Sequence, residues 1–316
     1  MTGYILKRLL SIIPVLLVVA VVVFSITFLT PGDPASVILG PEASAQEVNK
    51  LREELGLNKP VHEQFLEWIG GLLRGDLGSS LFMRETVVEA FFNHLGPTFS
   101  LALIAQVIAI LIAIPLGILA AVRRGTMTDQ SVMGLSLVGI SVPSFLLGLF
   151  LVLLLAVQLR WLPVAGYRPI SAGMLEHLKY LIMPALALGA MQAALITRMT
   201  RSAMLDVFHQ NYIKTAKSKG LKEKVVIYKH ALRNASMPIL TVIGQTFGVL
   251  VTGAAVIETV FNIPGLGQLI VNSVERRDYA VIQGVVLLIA VTYVLLNLVI
   301  DLLYGVLDPR IRLSRK

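Results

Sequence analysis

The stretch TFSLALIAQVIAILIAIPLGILAAV, Thr98–Val122, carries no charged side chain, and only Thr98, Ser100 and Gln106 interrupt its apolar run. As a helix rising 1.5 Å per residue it exceeds the roughly 30 Å of hydrocarbon in a bilayer. In that solvent every backbone N–H and C=O must be bonded within the protein, so such a run is a helix. Five more runs of the same kind flank it: Leu9–Leu29, Val132–Val157, Tyr180–Thr200, Met237–Val260 and Ala280–Gly305. The expectation is an all-α membrane protein with six transmembrane helices. Composition agrees, with 56% hydrophobic residues, 15% charged residues and a mean hydropathy of +0.79. A soluble domain usually carries about 25% charged residues.

Lys7 and Arg8 before the first run suggest a secretory signal. Its core is longer than a signal core, however, and no small-x-small site precedes Pro31, so an uncleaved anchor is expected. The absence of cysteine excludes disulfides, thiolate metal sites and cysteine nucleophiles. The net charge of +8 reads as an orienting charge of a membrane protein, with no nucleic acid as partner.

Basic residues set that orientation. With the N-terminus inside, the inner segments hold Lys7, Arg8, Arg123, Arg124, then Arg198, Arg201, Lys214, Lys217, Lys219, Lys222, Lys224, Lys229 and Arg233. Arg310, Arg312, Arg315 and Lys316 follow the last run. The long segment Pro31–Pro97 offsets its own basic residues with Glu47, Glu53, Glu54, Glu63, Glu67, Glu85 and Glu89. Lys/Arg bias in short loops places both termini in the cytoplasm and the long loop outside. In that loop Ser44-Ala-Gln-Glu47 forms a capping box, and Val48, Leu51 and Leu55 share one face before Gly56. Val61, Phe65, Trp68, Ile69 and Leu72 predict a second amphipathic helix opened by Pro60. A small folded cap on the outer membrane surface follows, with a passive spacer as the alternative. Three regions result: residues 1–94 (first helix and external loop), 95–305 (transmembrane domain) and a basic tail over 306–316.

Several chemistries are missing. No phosphate-binding G-x-x-x-x-G-K-[ST] occurs, and His62, His94, His177, His209 and His230 are scattered, which predicts no catalytic centre and no metal site. Within the spans the ionisable residues are Glu258 and Asp301, read as helix-end anchors at the interface. A proton- or ion-coupled carrier buries such groups at mid-membrane, so energy for any transport is expected from elsewhere.

The segment Asn211-Tyr-Ile-Lys-Thr-Ala-Lys-Ser-Lys-Gly-Leu221 predicts a short helix with Tyr212, Ile213 and Ala216 close on one face, closed by Gly220 in the left-handed conformation. Val225, Tyr228 and Leu232 predict another before Pro238. Such helices on a basic loop need a membrane surface or a protein partner, and periodicity does not choose between them.

The segment resembles the "EAA" loop of binding-protein-dependent ABC importer permeases, in its Lys214-Thr-Ala216, Gly220 and Pro238. The leading Glu-Ala of the loop is absent. Tyr212–Leu221 with His230-Ala-Leu-Arg-Asn-Ala235 resembles the peptide/nickel branch. Further matches are Pro31-Gly-Asp-Pro34, Gly75-Asp-Leu-Gly-Ser-Ser80, Gly96-Pro-Thr98, Ser141-Val-Pro-Ser-Phe145, Glu258-Thr-Val-Phe-Asn-Ile-Pro-Gly-Leu-Gly267, Asp301-Leu-Leu-Tyr304 and Asp308-Pro-Arg310. Together they resemble the first permease subunit of dipeptide and oligopeptide importers.

The resemblance implies a type I importer permease fold and no enzyme activity in this chain. It implies a second, paralogous permease subunit, two ABC ATPase subunits that bind ATP and Mg, and an external solute-binding protein. This chain itself would need no cofactor, with lipid around it. Thr215, Ala216, Lys219, Gly220 and Leu221 would form the coupling helix seated in the ATPase. Polar span residues Gln106, Ser141, Ser144, Gln192, Gln245, Thr246 and Asn297 would line the translocation path, or else glue helices together, as Gly244-Gln-Thr-Phe-Gly248 also could. Nickel, glutathione, murein peptides or an oligosaccharide remain alternative cargoes. A secondary carrier and a non-transporting scaffold remain from other classes.

Overall fold

A computed structural model describes residues 13–25, 34–40, 43–54, 56–80, 82–252 and 254–307. Lys7, Arg8, both edges of the first expected span, Pro31–Asp33, the side chain of Asp301 and the tail from Asp308 lie outside the described residues. Apart from one isolated bridge, Ser79 to Thr86, the described regular structure is helical.

Among the described residues, each of the six apolar runs falls largely on helix. The first is described as α1, Ile13–Ser25. The segment between α1 and the second apolar run holds α2 (Pro34–Leu39), α3 (Ala45–Glu54) and α4 (Val61–Leu73). α5, Val87–Val122, is the second span. α6 (Met127–Ser141) and α7 (Ser144–Leu151), the latter continued as π-helix over Val152–Gln158, form the third as a pair bent by 99°. Pro143 causes the break: it supplies no amide proton and holds Val142 extended at φ −80° and ψ 122°. α8, Met174–Phe208, is the fourth span, and Pro184 lies inside it as Pro115 lies inside α5.

α9 (Asn211–Ser218) follows. The helix expected over 225–232 is no separate element: it is π-helical and runs straight into α10, Arg233–Thr252. Together they make one long apolar helix, Val225–Thr252, with Pro238 inside it. The expected fifth span thus divides, since α11 (Ala255–Val260) is distinct from α10. α12 (Leu266–Arg276) and α13 (Tyr279–Leu307) complete the chain.

The chain forms two compact units, Met1–Gly96 with Gln268–Leu295, and Pro97–Gly267 with Leu296–Lys316. In the first, the rings of Phe24, Phe65 and Trp68 cluster with centroids 5.1–6.3 Å apart, tying α4 to α1. The Gly75–Ser80 stretch is a built turn. Ser80 Oγ donates to Asp278 Oδ2 at 2.5 Å and accepts the amides of Phe82 and Met83. Gly284 of α13 lets the turn and Val87 approach closely, since a Cβ there would stand 2.5 Å from Val87 Cγ1.

In the second unit the core is rich in alanine. Ala102, Ala105, Ala185 and Ala187 pack with Leu101, Leu181 and Met183, and Ala109, Ala113 and Ala193 pack with Ile196 and Met204. In lipid, helices gain little from apolar burial alone, so small residues that admit close backbones carry the packing. Gly189 of α8 illustrates it: a Cβ there would lie 2.8 Å from the Ala105 carbonyl oxygen of α5.

Candidate functional site

Three constructions in the second unit gather the polar residues of the spans. The first is a buried tie. Glu258, within α11, is 0% exposed and accepts a 2.6 Å hydrogen bond from Thr98 Oγ1. The same hydroxyl accepts the Leu266 amide at 2.8 Å. Gly265 lies so close to the Glu258 carboxylate that a Cβ would overlap it. Phe261 packs against Gly148 of α7, where a Cβ would come within 3.0 Å of the ring. Thr98 and the Glu258–Leu266 stretch, far apart in sequence, are therefore one structure. This corrects the reading of Glu258 as an interface anchor: it is interior, because Thr98 and the turn before α12 enclose it.

The second is α9. Ile213 and Ala216 are buried against Met204, Val226 and Ala231. Leu221 N–H donates to the Ala216 carbonyl and Gly220 N–H to that of Lys217, with Gly220 at φ +76°. This is the paired closure of a Schellman motif, which needs a residue without a Cβ penalty at that position. Thr215, Lys219, Gly220 and Leu221 are exposed, whereas Ala216 faces inward and fixes the helix. Tyr212, expected beside Ile213 and Ala216, is instead exposed, and so is Tyr228. Leu221 is exposed as well, and Lys214, Lys217, Lys219, Lys222 and Lys224 are its exposed neighbours in sequence. Sequence reading left these two tyrosines out of the candidate surface. A large aromatic beside lysines on a short loop helix was the available signal.

The third is a cleft of ≈ 820 Å³ between α8 and α10, with Met133 of α6 at its side. Gln192, Gln245 and Thr246 line it, along with Met191, Met199, Arg198 and Arg201. Gln106 stands behind this wall, its Oε1 receiving Thr246 Oγ1 at 3.3 Å. Arg201 is engaged bidentately by Asp129, at 2.6 and 2.7 Å, and the Gly125 amide caps the same carboxylate. Ser141, Ser144 and Asn297 are not among the cleft's lining residues. Ser141 bonds back to the Leu137 carbonyl within its own helix, and Ser144 opens α7 after the break. Of the seven polar span residues, three line the cleft and a fourth supports it. Among the described residues no group of three His, Asp or Glu side chains could hold a metal ion.

Comparison with known proteins identifies the family of this helical membrane chain. Residues 113–313 match the family "Binding-protein-dependent transport system inner membrane component", and residues 1–102 match its N-terminal companion. The chain belongs to this family of ABC importer permeases. It is 43% identical over 309 residues to "Probable peptide ABC transporter permease protein y4tP" of Sinorhizobium fredii, covering 98% of this chain and 99% of that one. It is 45% identical over 312 residues to "Glutathione transport system permease protein GsiC" of Salmonella typhimurium, with 99% of each chain covered. Among solved structures, an inward-facing MetNI methionine ABC transporter matches with a TM-score of 0.57 at 19% identity, over 70% of this chain and 97% of that chain. The fold is that of a type I importer permease. The protein is a multi-pass membrane subunit and not an enzyme.

Proposed function

We propose that this chain is the permease subunit of an ATP-driven importer for dipeptides or oligopeptides. The observation that carries the cargo reading is the ≈ 820 Å³ cleft, with Gln192, Gln245 and Thr246 among largely apolar walls. Its size falls in the range of pockets that enclose small organic ligands, about 300–1,000 Å³. Kinship along the full chain with a peptide and a glutathione permease supports the same reading. Glutathione, itself a peptide, is the second reading. Nickel, murein peptides and oligosaccharides are outcomes that a cargo panel would reveal.

In this proposal both termini are cytoplasmic, and the chain pairs with a paralogous permease so that the two clefts face one path. Each permease sits on one of two ATPase subunits that bind ATP and Mg, and a solute-binding protein delivers cargo from outside. Thr215, Lys219, Gly220 and Leu221, with Tyr212 and Tyr228, enter a groove of the ATPase. Ala216 and Ile213 hold α9 on the spans, so closure of the nucleotide dimer moves them as a rigid body.

The test is to co-express the chain with its genomic neighbours and purify the complex into a bilayer mimic. ATPase activity is then measured with the binding protein and a peptide panel. Peptide-dependent stimulation requiring this subunit is expected. Hydrolysis indifferent to every peptide would return the cargo to metals and sugars.

A further inference from the structure

We infer that the cleft recognises the backbone and the free C-terminal carboxylate of a short peptide, with Arg198 receiving the carboxylate. The inference rests on the peptide reading above. Two arginines line the cleft and no carboxylate does. Arg201 is already neutralised by Asp129 in a bidentate pair. Arg198 is exposed, and no ion pair or hydrogen bond joins it to another described residue. The cleft therefore presents one uncompensated guanidinium, whose planar fork matches a carboxylate.

The remaining groups suit the peptide unit. Gln192 is 5% exposed yet lines the cleft, and no described residue hydrogen-bonds its amide. An amide held this way offers one donor and one acceptor to a passing peptide group. Thr246 Oγ1 has a single hydrogen, given inward to the Ile243 carbonyl at 2.9 Å or to Gln106 Oε1 at 3.3 Å. Its oxygen can then accept a cargo N–H.

Spacing fixes the length that is read. Gln192 and Arg198 are six residues apart on α8, about 9 Å along the axis. An extended peptide advances roughly 3.3–3.6 Å per residue. A peptide unit at Gln192 thus places a carboxylate two or three residues onward at Arg198. Met133, Met191 and Met199 supply unbranched, adaptable walls that accept many side chains. The cleft reads main chain and terminus, and leaves side-chain identity open.

The experiment uses the whole complex in proteoliposomes and one tripeptide in two forms, free acid and C-terminal amide. Each is supplied at a concentration shown by titration calorimetry to saturate the binding protein, so capture outside is equal. The wild type is expected to import the free acid at least about fivefold faster than the amide. Arg198→Gln brings that ratio close to one, and Arg198→Lys retains most of it. Equal import of both forms by the wild type overturns the inference while leaving peptide import standing. A preference undiminished in Arg198→Gln overturns it as well. Import of neither form overturns the peptide reading beneath it. The wild-type ratio remains decisive even where Arg198→Gln fails to assemble.

Discussion

Gly220 shows how much one backbone position can carry. Its φ of +76° closes α9, yet a Cβ built there meets nothing within 4 Å. Substitution therefore costs through conformation and not through collision, and the left-handed region costs an L-residue about 1–2 kcal/mol. A β-branched residue would open the last turn and displace Lys219 and Leu221 together. Gly220→Val is expected to lower peptide import per ATP hydrolysed several-fold, whereas Gly220→Asn, which tolerates the left-handed region, stays near wild type. Normal coupling in the valine variant would sink the proposed role of α9. Thr98 is the matching position inside the spans. Thr98→Val keeps the shape but removes the donor to Glu258 and the acceptor of the Leu266 amide. Leaving the buried Leu266 amide without its acceptor costs about 1–3 kcal/mol. A thermal-unfolding scan in detergent should show a lowered midpoint, and an unchanged midpoint would mean the tie contributes nothing to stability.

Among the helices, α3 is the most locally determined. Ser44 Oγ and the Ser44 amide both donate to Glu47 Oε2, and the Glu47 amide returns a bond to Ser44 Oγ. These bonds, first that from the Ser44 backbone and then that from its side chain, hold the Glu47 carboxyl below its ordinary value near 4.5. A lowered carboxyl pKa stabilises the helix in full above the ordinary value, and the contribution fades as pH falls through the lowered one. Amide hydrogen exchange over residues 45–54, corrected for intrinsic rates, should lose protection below about pH 4.5. Ser44→Ala should remove that pH dependence, and a dependence that persisted would place its origin elsewhere. This helix was legible in sequence because its signals lie within four residues. The start of α5 was not: the Thr86–Glu89 capping box opens it at Val87, well ahead of the apolar run at Thr98. The merger of 225–232 into α10 escaped for the opposite reason. Pro238 reads locally as a stop, yet inside a span neighbouring helices can satisfy the carbonyl that a proline frees. The Thr98–Glu258 tie is a tertiary fact, and no local period encodes it.

At the scale of the whole chain, orientation rests on charge. The runs are apolar in either direction across a bilayer, so only the flanking Lys/Arg decide which face meets the cytoplasm. The set from Lys214 to Arg233 is the densest, and it surrounds α9, where coupling to an ATPase would have to occur. Sidedness and function are thus one claim, since α9 on the outer face could reach no nucleotide-driven partner. The chain holds no cysteine, so single cysteines introduced into it report without background. Lys50→Cys lies on α3 and Lys222→Cys just beyond α9, and both positions are exposed. In intact spheroplasts a membrane-impermeant maleimide should label Lys50→Cys at least about tenfold more than Lys222→Cys. Permeabilisation should bring the two to parity. The reverse pattern would invert the topology and remove α9 from any contact with an ATPase, whatever its sequence resembles. Labelling of Lys222→Cys that is blocked in the assembled complex but not in the isolated subunit would further place the partner on this surface.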